Sequence, residues 1–401
     1  MLFDNAKAFF FQTNRLQKSV LLSVFLFTIV THMLTPFWVI ILTNHLDQSL
    51  YVAGLVVSLK GVSNRVFSLY GGWLGDRISA FHLILIALLM RAVALFVLFY
   101  DINLYTVVLC SQIIGITSGM FHPVVRKALY ASVNERIGLE TLITLRLIGF
   151  NAAVAIAPVL GAYFLLDFSA VGASILAAIL IALVLMMIAI RSQFESVNTA
   201  NSVPSMERLI GTYHSIKSIF PFAFLFMVLY STLLFTFTDY VEGTVNSQFL
   251  ALCFSVNAIV VIVLQGAASK IPEHRILPLI YLFFSGYFVL LSLSSISTNM
   301  VLIYGLVLMS TISVSLSEIL YSFRFEYMLT KLSGGSALAF GAANCIMFLP
   351  ALIANLVGSF VVTKFDYVTW WAALTAISVG LSLYFIQKSI SPNTRKVNFE
   401  R

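Results

Sequence analysis

The residues with most chemistry to offer are charged groups set inside apolar runs. Glu318 lies in SLSEILYS, Lys60 and Arg65 share one run, and Arg91 and Arg146 sit singly in two others. Ionisable groups at membrane depth are expensive and mark ion or substrate pathways. A carboxylate kept from water favours its protonated form, which makes Glu318 a candidate proton carrier. The competing reading makes it the ion-pair partner of one of the cations. His32 is a second candidate, because imidazole titrates near neutral pH; otherwise it is a neutral hydrogen-bonding residue beside Thr31 and Thr35.

The sign of this inventory carries information. Four cations against one acid predict a cavity that receives an anion or a zwitterion, such as a carboxylate metabolite or a carboxylate-type siderophore. Lys60, Arg146 and Asn151, five residues beyond Arg146, are the candidate substrate contacts. Lys60 and Arg65 stand about 140° apart around a helix, so they face different neighbours. Lys60 with Asn64 forms one polar strip, and Arg65 points with Gly72, two turns on.

These groups need elements to hold them at depth. Hydrophobic residues make up 60% of the 401 residues and charged ones 10%, far below the roughly 25% charged of soluble chains. The chain reads as an all-α polytopic membrane protein. Runs long enough to cross about 30 Å of hydrocarbon fall at 19–43, 51–74, 79–99, 103–124, 141–166, 169–190, 218–240, 247–268, 276–295, 300–323, 336–362 and 368–387, twelve in all. With the amino terminus cytoplasmic, the inner segments collect Arg15, Arg77, Arg126, Lys127, Arg191, Arg324, Lys331 and Lys388 among others, and the outer loops hold only Lys364. This bias places both termini inside. Phe9 to Phe11 among basic residues are expected to lie along the inner interface. The polar stretch 191–217 divides the chain into a six-helix bundle at 1–190 and a second at 218–401. Cys110, Cys253 and Cys345 fall in separate spans and imply packing, with no disulfide, metal or cofactor.

The second span ends in GGWLGDRIS, residues 71–79. Gly72 permits close approach of another helix, and Asp76 follows one turn on beside Arg77. After the eighth span, Gly266-Ala-Ala-Ser-Lys270 keeps the outline without the acid. Twelve spans, six and six, with Gly-x-x-x-Asp-Arg between spans two and three, resemble the major facilitator superfamily of secondary transporters across essentially the whole chain. The family's loop continues with a glycine and two basic residues, whereas this one continues Ile78, Ser79, Ala80, Phe81, His82. The resemblance implies two bundles alternating access to a central site, with Asp76 latching the start of span eleven, near SGGSALAFG, on the inner side. Arg65 and Arg77 belong to the same latch group. A carboxylate suits a helix start, whose first N–H groups lack partners.

Span five carries Ala153, Ala157, Pro158 and Gly161, a pattern for close packing and a local kink. It resembles the Gly-Pro-x-x-Gly signature of the superfamily's proton-coupled exporters, with Ala157 in place of the first glycine. An enzyme is not expected: the chain has no His-Glu-x-x-His, Gly-x-Ser-x-Gly or Walker phosphate loop. The expectation is a monomeric proton-coupled exporter of a small organic molecule in a bacterial inner membrane, with lipid and protons as partners and no nucleic acid. Uptake by a symporter or uniporter is the alternative within transport, and a non-transporting receptor the alternative outside it.

Overall fold

The computed structural model describes residues 7–34, 38, 41–48, 50–165, 170–197, 217, 220–234 and 236–390. Most of the polar linker, Thr35, and residues 1–6 and 391–401 lie outside the described residues. Among the described residues the regular structure is helical, apart from one isolated bridge between Asn134 and Ile137. The helices are α1 (Arg15–Leu34), α2 (Leu50–Gly75), α3 (Ala80–Tyr100), α4 (Leu104–Ala131), α5 (Leu139–Leu165), α6 (Ala170–Ala189), α7 (Arg191–Val197), α8 (Phe220–Leu234), α9 (Thr236–Thr244), α10 (Ser247–Leu264), α11 (Glu273–Ile296), α12 (Met300–Ser333), α13 (Ala337–Ile346), α14 (Phe348–Lys364) and α15 (Tyr367–Ile390).

Ten helical stretches among the described residues are long and apolar enough to cross a membrane. The 26-residue α2 is not one of them. It is long enough, but Ser58, Lys60, Ser63, Asn64, Arg65 and Ser68 break its apolar character.

Two of the departures from the sequence expectation bear on the site. Span ten was expected to stop at 323, where charges begin, yet α12 runs on to Ser333. Charge ends a membrane crossing without ending a helix. Termination comes at Gly334 and Gly335, both at positive φ (61° and 75°), where glycine is favoured. Span eleven was expected as one helix at 336–362. It is broken at Met347 into α13 and α14. Pro350 has no N–H to give and its ring crowds the carbonyl four residues earlier, that of Ile346, which is where α13 ends.

The contacts sort the chain into two compact units, one of residues 3–221 with 327–348 and the other of 222–326 with 349–401. The break in span eleven falls beside this division, so α13 packs within the unit that holds α1 to α7.

In that unit α2 and α4 meet through glycines. A Cβ on Gly115 would stand 2.5 Å from the Lys60 carbonyl oxygen, one on Gly119 2.3 Å from that of Asn64, and one on Gly71 2.5 Å from the Met120 Cα. Such small-residue seams let helix backbones approach where lipid supplies no hydrophobic drive. Gly119→Leu is expected to force α2 and α4 apart at a cost of about 3 kcal/mol. Thermal unfolding in lipid nanodiscs checks it, and an unchanged unfolding temperature contradicts the packing. In the other unit Ser317 donates to the Ile280 carbonyl and Ser313 to that of Phe283 (2.7 Å), tying α12 to α11, while Ser382 of α15 reaches the Pro278 carbonyl at 3.1 Å.

Candidate functional site

Three groups of polar residues concern function. The first is at the end of α2. Backbone N–H groups of Ala337 and Leu338 donate to the two oxygens of Asp76 at 3.1 Å each, and the Ser336 hydroxyl donates at 2.6 Å. These are the unpartnered donors of the first turn of α13, satisfied by a carboxylate from a residue 260 positions away in sequence. Ser336 also caps its own helix through the Ala339 N–H. The approach is close: a Cβ on Gly72 would lie 2.4 Å from the Ala337 carbonyl oxygen, and one on Gly341 2.1 Å from that of Ser68. Further along the seam Arg65 donates to both the backbone and side-chain oxygens of Asn344 at 3.1 Å, and Asn344 donates to Ser68 Oγ at 3.0 Å.

Lys127 of α4 completes the cluster. Its ammonium is 3.0 Å from Asp76 Oδ1 and donates to the Gly75 carbonyl at 2.9 Å. On sequence it reads first as an inner-face anchor and second as an inner-gate partner, and its spacing does not name Asp76 as the group it pairs with. Both partners keep about a fifth of their side chains exposed (21% and 19%), so screening limits the pair to about 1 kcal/mol or less. The hydrogen bonds from the helix start to a charged acceptor contribute more, about 1.5–3 kcal/mol each. Arg77 is exposed and stacks its guanidinium 3.6 Å from the Trp73 ring. Ser336→Ala removes both a cap and a donor to Asp76 and is expected to cost about 1–2 kcal/mol, read as a lower unfolding temperature; no change contradicts the contact.

The second group lies deeper in the same unit. Arg91 is 0% exposed, and its donors meet only neutral oxygens: Thr117 Oγ1 at 3.1 Å, the Ile114 carbonyl at 2.8 Å, and the hydroxyls of Thr31 and Ser118. The Phe27 ring lies 3.9 Å from its guanidinium carbon. Lys60 sits 5.7 Å from the Trp38 ring and within electrostatic range of Arg91 and His32. Arg146 is buried and donates to the Tyr130 hydroxyl at 3.0 Å, while Asn151 donates to the Leu147 carbonyl of its own helix at 2.9 Å. His32 packs edge-on against Phe150 at 6.0 Å. His122, passed over in the sequence, connects these residues. It lies against Phe27, Phe121 and Phe150, within electrostatic range of Arg91, Arg126, Arg146 and His32. Ala153, Ala157 and Gly161 are buried on α5, whereas the Pro158 side chain lies outside the described residues.

The third group belongs to the other unit. Glu318 accepts from Asn257 Nδ2 at 3.1 Å and from the Tyr230 hydroxyl. Asn257 also donates to Ser315 Oγ at 2.9 Å. Glu318 therefore draws on α8 and α10 as well as α12, and no cation pairs with it among the described residues. Phe226 and Tyr321 stack at 3.5 Å in the same unit, with Phe226 also stacked on Tyr230 at 5.4 Å. Asp239 accepts from the Tyr367 hydroxyl at 2.6 Å and is exposed. Nearby, Asp366 takes the Thr369 N–H at 2.6 Å, a bond that holds its carboxyl below the ordinary carboxylate range.

Comparison with known proteins places this arrangement. The MFS-type transporter YttB of Bacillus subtilis (strain 168) is 32% identical over 149 residues, 37% of this chain and 36% of that protein. A second from the same organism, YqjV, is 28% identical over 134 residues, 33% and 32% of the two chains. The chain thus aligns with about a third of the length of these curated relatives. A crystal structure of a bacterial homologue of the iron transporter ferroportin, in an outward-facing state, superposes with a TM-score of 0.70 over 94% of this chain and 100% of that one, at 12% identity. At that identity the likeness is one of fold. The Major Facilitator Superfamily profile matches residues 20–323, and with a helical membrane fold to go with it, this chain belongs to the Major Facilitator Superfamily.

Proposed function

We propose that this protein is a proton-coupled secondary transporter exporting a small organic anion or zwitterion, with Glu318 as the proton carrier. One observation carries the reading: Glu318 is held by Tyr230 and Asn257, both neutral, with no cation beside it among the described residues. A carboxylate locked to a lysine or arginine stays ionised through a cycle, whereas one in neutral company can take up and give up a proton. The cation-rich first unit supports the anionic substrate. Arg91, Lys60 and Arg146 lie in that unit, whereas the carboxylate of the α2 turn, Asp76, is engaged by Lys127 and the start of α13. Asp76, Gly72 and Arg65 act as the latch between α2 and α13 that must open for access to alternate, on the cytoplasmic side of an inner membrane.

Proteoliposomes with an imposed pH gradient test it. Uphill movement of organic anions, absent without the gradient and absent for cationic analogues, is the expected result. Transport of equal rate with and without the gradient rules out the proton coupling.

A further inference from the structure

Two cations of the first unit have no negative partner among the described residues. Arg91 is wholly enclosed, and Thr117, Thr31, Ser118 and the Ile114 carbonyl take its donors. Neutral oxygens solvate a guanidinium without cancelling its charge, and arginine does not discharge by losing a proton. Lys60 differs. It makes no hydrogen bond or ion pair among the described residues, its part-buried stem lies against α4 at Gly115, and its ammonium is 5.7 Å from the Trp38 ring. Its backbone is fixed, since α4 offers Gly115 where a Cβ would come within 2.5 Å of the Lys60 carbonyl oxygen. The charged or titratable groups acting on this ammonium from packed elements are Arg91 of α3 and His32 of α1.

These facts divide the labour. Four of the five N–H donors of Arg91 are taken by its enclosing oxygens, and its side chain is fully buried. It acts on the site through its field, which persists because the surroundings are poorly polarisable. Lys60 has three donors and no acceptor for them among the described residues. An anion placed at Lys60 is favoured by both charges, while a neutral isostere gains from neither. One free cation suits one carboxylate. The Trp38 ring at the ammonium suits a flat ring beside it.

We infer that Lys60, with Trp38 beside it and Arg91 behind it, forms a subsite for the carboxylate of an aromatic monoanion. This rests on the reading that the protein moves a small organic anion. Lys60 is the contacting residue, and Arg91 is a positioning residue that sets charge preference.

The test uses purified full-length protein in lipid nanodiscs at constant ionic strength, with sodium benzoate and its neutral isostere benzamide as probes. Ligand binding to the native state raises the unfolding temperature. Benzoate is expected to do so at millimolar concentration, with benzamide at least about tenfold weaker. Lys60→Gln is expected to abolish the benzoate shift. Arg91→Lys, which keeps the charge and loses most of the neutral hydrogen bonds, is expected to retain the preference for benzoate on a less stable protein. Arg91→Gln is expected to lose it. A purely structural role for Arg91 predicts instead that Lys and Gln variants behave alike. Equal shifts by benzoate and benzamide, no shift by benzoate, or a wild-type response in Lys60→Gln overturns the subsite. Because the assay contains no gradient and no transport, proton-coupled export can fail in proteoliposomes while the subsite stands, and the reverse.

Discussion

Asp76→Ala is expected to lower the initial transport rate at least about tenfold while the protein still folds and inserts. The carboxylate accepts from Ala337 N, Leu338 N and Ser336 Oγ and pairs with Lys127. Removing it leaves two first-turn amides of α13 without acceptors at a packed seam. At about 1.5–3 kcal/mol for each hydrogen bond to a charged group, with incomplete additivity, the clasped arrangement weakens by about 3–4 kcal/mol. That is a few hundredfold in an equilibrium between clasped and open arrangements. A transporter that no longer populates one of its two states cannot cycle. Asp76→Asn keeps acceptor oxygen on one side but loses the charge, so an intermediate rate is expected. Lys127→Ala is expected to matter less than either, because the part-exposed, screened pair contributes about 1 kcal/mol. Initial rates in proteoliposomes, with circular dichroism as the folding control, check the order. Lys127→Ala proving worse than Asp76→Ala reverses the assignment of which contact dominates.

Glu318→Gln is the second large effect. Glutamine keeps the shape and still accepts from Tyr230 and Asn257, whose contacts with Glu318 come from α8 and α10, but it has no proton to release. Gradient-driven accumulation is expected to fall at least about tenfold, while exchange of labelled for unlabelled substrate without a gradient persists, since exchange needs no net proton movement. The check is both assays on the same vesicles. Loss of exchange together with accumulation points to a substrate contact, and retention of accumulation removes Glu318 from the coupling.

The sequence carried the fold class and the identity of the membrane cations well, because composition and run length are set by the bilayer and need no tertiary information. The meeting of Asp76 with the start of span eleven was implied by the resemblance to the superfamily, and helix-start chemistry gives it a reason without naming which helix start the carboxylate meets. Lys127 was not: an ion pair between α4 and the α2 turn depends on helix rotation, which the basic run Arg126-Lys127 does not encode. Asn344 and Ser68 were missed for the same reason, as was the central place of His122 among three phenylalanines. The break at Met347 lies one turn before Pro350 because the ring crowds the Ile346 carbonyl, and run length alone gave span eleven as one helix. The extension of α12 to Ser333 was masked by its charges. Arg91, left without a role at the level of sequence, is hydrogen-bonded by hydroxyls and a carbonyl contributed from α1 and α4, partners that only folding assembles.

The central claim is that the α2–α13 clasp opens and closes during turnover. A Cβ on Gly75 would lie 3.0 Å from the Ala337 Cβ, a few tenths of an ångström short of the usual disulfide spacing of about 3.5–4.5 Å. Gly75→Cys with Ala337→Cys, in a protein whose Cys110, Cys253 and Cys345 have been replaced by serine, can be oxidised to tie the clasp shut. Transport is predicted to stop on oxidation and to return on reduction with dithiothreitol. An oxidised, demonstrably cross-linked protein that transports at the reduced rate would contradict the account.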